Sequence, residues 1–289
     1  MTLQTPDGIG RVGVWSGLLS RSDTQFQDEQ KDAAAELDEL GYGAIWLGRS
    51  PGVARAVPLL AATRRITVAT GILSVWEHEA ADVAAQVAEL GEDAARFVLG
   101  LGVSHGPMTP GYARPLQKMA AFLDELDAAP VPVPRERRVL AALGPKMLAL
   151  AAERSAGSHP YLVTPEHVAR TRDALGPGKL LTPELGVVLD SDRMRARETA
   201  RKFLAVYLGL PNYTNNWLRL GFTEDDLADG GSNRLLDGLL VLGDAVDVRT
   251  RVAAFHEAGA DHVAIQVIRP DDTLPREEWR TLAAALPLA

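Results

Sequence analysis

The chain contains no cysteine in its 289 residues. That excludes disulfides, thiolate catalysis and cysteine-ligated metals, and it suits an intracellular protein. Long apolar runs are also missing, so neither a membrane span nor a secretory leader is expected. Aromatic residues are few, at 6%. Positive charge is in deficit: the formal net charge is −8. Nucleic acid and anionic membranes are therefore not expected partners, and an anionic ligand needs local donors such as helix N-termini or single Arg and Lys side chains. The six histidines form neither H-x-H nor H-E-x-x-H, which leaves no metal site. No G-x-S-x-G elbow or phosphate-loop lysine motif supports a hydrolase or kinase.

What is present is strand–helix alternation. The strand candidates are Arg11–Trp15, Ala44–Leu47, Ile66–Leu73, Val98–Leu101, Val139–Leu143, Ser158–Val163, Leu185–Leu189 and Asp261–Ile268. Residues 1–10 read as a loose leader. Ser22–Gln25 has capping-box spacing for a first helix that ends at Gly41. Pro115 and Pro145 stand where proline starts a helix, and Thr164-Pro165-Glu166 is a cap, proline and acid in order. Eight strands alternating with helices predict an α/β fold, a TIM (β/α)8 barrel forming a single domain over 1–289. Residues 191–245 break the rhythm and read as an insertion after the seventh strand, a lid or a dimer surface.

Barrel enzymes place chemistry at the C-terminal ends of their strands. That rim gathers Trp15, Ser16, Gly48, Arg49, Gly71, Ile72, Gly102, Val103, Ser104, His105, Leu143, Gly144, Ser158, His159, Asp190 and Gln266. Several are small, which predicts something flat and large across the rim. His105, at the tip of the buried run Arg96–His105, is the candidate acid or base. Gly100-Leu-Gly-Val-Ser-His-Gly106 is a weak match to a dinucleotide fingerprint, since three strands precede it and Pro107 follows.

The segments 68–76, 96–105, 140–147, 159–166, 210–216 and 259–266 resemble the luciferase-like monooxygenase superfamily, and within it an actinobacterial subgroup dependent on coenzyme F420, a deazaflavin. The resemblance implies a cofactor across the rim, with Gly71 and Ile72, joined by a cis peptide bond, beneath its ring. It puts His105 where relatives carry an acid near the reactive carbon, and Arg49 where relatives carry Asp-His or Glu-His. Trp15, Gly48, Gly102 and Ser104 complete the expected cofactor contacts, and Gly144, Lys146, Ser158 and Thr164 lie on the phosphate side. Trp76, Asn212, Tyr213 and Asn216 are the expected substrate or lid contacts. The implied activity is hydride transfer between F420 and a small organic substrate, in a cytoplasmic homodimer. FMN with NAD(P)H and oxygen is the alternative, and a deazaflavin-binding protein without turnover is another.

Overall fold

The computed structural model describes residues 9–288. Nine elements of strand and helix carry the first half of the chain: β1 Val12–Ser16, α1 Gln27–Leu40, β2 Ala44–Leu47, α2 Val57–Ala62, β3 Thr67–Thr70, β4 Leu73–Ser74, α3 Ala80–Glu89, β5 Phe97–Gly102 and α4 Pro115–Asp127. The second half holds β6 Arg138–Leu140, α5 Pro145–Arg154, β7 Gly157–Ser158, α6 Pro165–Leu175, β8 Leu180–Leu181 and β9 Glu184–Leu189. It continues through α7 Arg193–Leu208, α8 Pro211–Arg219, α9 Glu224–Leu227, α10 Asn233–Leu239, β10 Leu240–Gly243, α11 Ala245–Glu257, β11 Val263–Val267 and α12 Arg276–Ala285.

All strand pairings among the described residues are parallel, in the order β10-β9-β11-β1-β2-β3-β5-β6-β7-β8, with β4 on β5. β8 and β9 are two parts of one strand interrupted at Thr182-Pro183, and they close the ring. On one side β8 pairs with β7, and Glu184 N donates to Pro160 O at 2.9 Å. On the other, Asp261 N donates to Leu181 O and Ala264 N to Pro183 O, each at 2.9 Å. The chain is a (β/α)8 barrel. β10 pairs with the upper part of β9, outside the ring.

Each strand is buried on both faces, as the unbroken apolar runs predict. Outward-facing Val12, Val14, Ile45, Leu47, Val68, Leu99, Leu101, Val263 and Ile265 pack under the helices. Inward-facing Ala44, Trp46, Ala69, Val98, Val139, Leu180 and Ala264 fill the bore. Mostly small residues surround Trp46, whose ring stacks on His159 with centroids 4.1 Å apart. Its Nε1 donates to His262 Nε2 at 3.0 Å, and His262 Nδ1 donates to Gly10 O at 2.9 Å, which fixes a neutral tautomer.

Four expectations change. No capping box forms at Ser22–Gln25: a 3-10 turn over Thr24–Phe26 intervenes, and α1 begins at Gln27 without a side-chain cap. Ile9 is buried and Gly10 packs on Gly43, so the end of the supposed leader belongs to the fold; residues 1–8 lie outside the described residues. The third strand divides at Gly71–Ile72, whose peptide bond is cis as the resemblance implied, and the sixth shortens to Gly157–Ser158.

The 191–245 segment folds as α7–α10 and β10 around Ala196, Ala200, Leu204, Trp217, Leu235, Leu236 and Leu239. That cluster also takes in Leu162, Val188 and Ile268 from the barrel, so the segment docks on the C-terminal rim.

Candidate active site at the barrel mouth

Trp15 forms part of the floor of the mouth. Its indole points inward from β1, and Nε1 donates to Gly71 O at 2.9 Å. A Cβ on Gly71 would stand 2.9 Å from Trp15 Nε1, and one on Gly48 would overlap the far edge of the ring. Gly102 likewise makes room for the Ile72 side chain. The small rim residues are thus small for an internal reason: the flat group lying against Gly48 and Gly71 is the chain's own indole. The surface left to a ligand here is the half-buried faces of Trp15 and Ile72.

β5 ends at Gly102 and the chain turns through Ser104, which adopts φ 54. His105 follows, half-buried, with Nδ1 3.0 Å from Asn212 Oδ1 of α8. Its ring lies 5.2 Å from that of Tyr213. Burial pulls the His105 pKa below the usual imidazole value, and the Asn212 hydrogen bond works against that shift. The shift favours the neutral ring. Trp76 closes this side: Nε1 donates to Val103 O at 2.7 Å, Tyr112 packs 5.5 Å away and the Lys118 ammonium lies 5.9 Å over the ring.

Of the opposite wall, sequence reasoning named Gln266 and Tyr213 and missed Tyr161, Tyr207 and Glu184. Tyr161 donates its hydroxyl hydrogen to Gln266 Oε1 at 2.6 Å, and its hydroxyl oxygen lies 3.0 Å from that of Tyr207. Tyr161 packs on Trp15 at 5.3 Å, and Tyr207 on Tyr213 at 5.2 Å, edge to face. Burial pushes the Tyr207 hydroxyl up to about 12 and those of Tyr161 and Tyr213 well above their usual value. Three of the five tyrosines, Tyr161, Tyr207 and Tyr213, therefore meet at the mouth of an aromatic-poor chain, with Tyr112 packed on Trp76 across from them. Glu184 lies buried on the same side. Its Oε2 accepts from Leu162 N at 3.0 Å, its Oε1 has no partner, and burial lifts its pKa to about 8. Its negative form would add to the upward shift of all three neighbouring tyrosines. An acid at an inward-facing strand position was the available signal for Glu184; Tyr161 in His-Pro-Tyr carried only a loop signal.

Two cationic residues serve the rim. Arg49, at φ 68, lays its stem over Gly17, and its charge lowers the neighbouring Tyr207 hydroxyl. Lys146 is exposed in the first turn of α5, whose N-cap Gly144 offers no side-chain cap and has open space around it. The uncapped N–H groups and the lysine form a donor set for an anion.

Three expected residues turn inward instead. Ser158 is fully buried and donates to Leu140 O at 3.1 Å. Thr164 caps α6, accepting from His167 N at 3.4 Å. Asn216 is buried, accepts from Arg219 at 3.3 Å and lies beside His167 rather than with Asn212 and Tyr213 at the mouth. The reason is axial: Asn216 shares the buried face of α8 with Tyr213 but sits nearly one turn further along the helix, beside His167 of α6. Asp190 is held by Arg195. Among the described residues there is no cluster that could hold a metal and no helix long and apolar enough to cross a membrane.

No protein-family model matches the chain, and no curated protein sequence does. Solved structures do. An F420-dependent secondary alcohol dehydrogenase, solved with an F420–acetone adduct, superposes with a TM-score of 0.74 over 96% of this chain and 98% of its own, at 14% identity. The chain has the barrel fold of that enzyme. The coenzyme F420-dependent tetrahydromethanopterin reductase of Methanopyrus kandleri gives 0.68 over 96% and 98%, also at 14% identity. The oxygenating constituent of 3,6-diketocamphane monooxygenase from Pseudomonas putida, in complex with FMN, gives 0.69 over 96% and 97%, at 12% identity.

Proposed function

We propose that this protein is an oxidoreductase of the luciferase-like superfamily that binds coenzyme F420 across the C-terminal rim and transfers a hydride between it and a small organic substrate. The observation that carries the reading is the position of His105: a neutral imidazole at the end of β5, facing the insertion, in a fold shared with two F420-dependent enzymes.

The residues present suit such a cofactor. A planar ring finds the half-buried indole of Trp15 and the apolar side chain of Ile72, and a phosphorylated tail finds Lys146, Gly144 and the uncapped first turn of α5, with Arg49 as a second cation. When bound, the deazaflavin supplies the carbon that exchanges the hydride. The chain's own residues handle the rest. His105 takes or returns the proton at the substrate oxygen, as a base whose neutral form its burial favours. Tyr161 and Tyr207 stay protonated and donate hydrogen bonds within the wall. Trp76, Tyr213 and Asn212 enclose the substrate side and limit access of water. The negative net charge supports a small-molecule partner rather than a nucleic acid or a membrane surface.

The FMN-containing neighbour supports a second reading, an FMN monooxygenase. A turnover assay separates the two. Substrate-dependent change in deazaflavin absorbance, with a panel of small alcohols, aldehydes and ketones and without oxygen, is the expected result. Oxygen-dependent product with reduced FMN and no response from deazaflavin favours the second.

A further inference from the structure

We infer that Asn212 is a positioning residue: through it the insertion, not the strand that carries His105, holds the imidazole proton at Nδ1 and leaves Nε2 as the free base. The catalytic consequence rests on the proposed function; the tautomer does not.

His105 stands on a loop that gives its ring little support. Ser104 before it is in the left-handed region, and Gly106, Pro107 and Met108 after it are exposed. The contacts that orient the ring come from the first turn of α8. Asn212 Oδ1 lies 3.0 Å from Nδ1, and Tyr213 packs 5.2 Å from the ring. α8 in turn is anchored. Tyr213 packs on Tyr161, Tyr207 and Trp217, and Trp217 Nε1 donates to Leu162 O at 3.0 Å.

A carboxamide oxygen only accepts, and a neutral imidazole has one N–H. The hydrogen bond therefore requires the proton on Nδ1. Among the described residues Nε2 makes no hydrogen bond, so its lone pair is available to a substrate proton. The reverse amide orientation would place NH2 against Nδ1 and move the proton to Nε2, an opposite state that measurement distinguishes. The contacts also couple chemistry to docking of the insertion: lifting α8 removes the partner that selects the tautomer. No charged side chain shifts His105, and the titratable group packed against it from α8 is the Tyr213 hydroxyl.

The test is 15N nuclear magnetic resonance of the full-length protein labelled at histidine, without ligand, at pH 8. The wild type is expected to show His105 protonated at Nδ1. Asn212→Ala should spread the proton over both nitrogens, and Asn212→Asp should restore the Nδ1–H form and raise the His105 midpoint on titration. Asn215→Ala, on the same helix and exposed, should change neither. In turnover, Asn212→Ala should lower kcat about tenfold or more with little change in KM, and Asn212→Asp should shift the pH profile upward. A wild-type resonance protonated at Nε2, or an unchanged tautomer in Asn212→Ala, overturns the inference. Correct tautomers without any deazaflavin turnover would leave it standing and count against the proposed function alone.

Discussion

Trp15 donates from its indole nitrogen to the carbonyl oxygen of Gly71 at 2.9 Å, and the same ring occupies the space beside Gly48. A methyl group at position 48 has nowhere to go unless the indole moves. Gly48→Ala should cost about 1–3 kcal/mol in urea unfolding and shift tryptophan emission, and adding Trp15→Phe should recover part of the loss. Gly144→Ala, where a Cβ meets open space, should stay within about 0.5 kcal/mol of wild type. Equal effects at the two sites would show that Trp15 does not fill the floor as described.

His105→Ala should lower kcat by about 10²–10⁴-fold while changing deazaflavin affinity much less, because a proton-transfer group acts on the chemical step. Steady-state rates with a binding titration on the same variant decide this. Activity within a few-fold of wild type would remove His105 from the chemistry.

Buried titratable groups set the pH dependence of stability. Burial lowers His159 to about 3, and His167 and His262 to about 4, against an ordinary 6.5. Below pH 6.5 the unfolded chain binds these protons and the folded chain does not, so stability falls as pH falls from 6.5 toward 4. Glu184 acts in the opposite sense. With its pKa raised to about 8, the folded state holds a proton that the unfolded state releases above about 4.5, so this contribution is lost as pH rises from 4.5 to 8. Three histidines outweigh one carboxyl below pH 6.5, and above it only Glu184 still changes among these four. Stability should therefore peak near pH 6–7. Glu184→Gln should flatten the decline between pH 7 and 8, as measured by denaturant midpoints across pH. A decline in that variant as steep as in wild type would contradict the assignment.

Lys146→Ala should weaken binding of the full phosphorylated deazaflavin about tenfold at low ionic strength and less at high salt, with the bare deazaflavin ring unaffected. Equal loss for ring and full cofactor would place the tail elsewhere.

The barrel was legible because its strands are read twice, once on each face. Val98–Leu101 is apolar throughout since odd positions face helices and even positions face the bore. Pro115, Pro145 and Thr164 marked helix starts by local chemistry alone, and all three hold. Ser22–Gln25 had the same kind of local signal, yet the tertiary path through a 3-10 turn overrode it. At the mouth, local pattern gave His105 its place at the rim and the family resemblance pointed to Trp76 and Asn212, but neither told what occupies the space between strands. That Gly48 faces Trp15 depends on ring closure, and so does the meeting of Tyr161 with Tyr207 across 46 positions. Asn216 failed for an axial reason: it lies about one helical turn further along the buried face of α8 than the residues that meet His105, and there it meets His167.

The most direct test of the account is an equilibrium titration of the purified protein with oxidised F420 and, side by side, with FMN, followed by cofactor fluorescence. F420 should bind saturably and at least tenfold more tightly than FMN. FMN binding as tight as that of F420, or tighter, would contradict it.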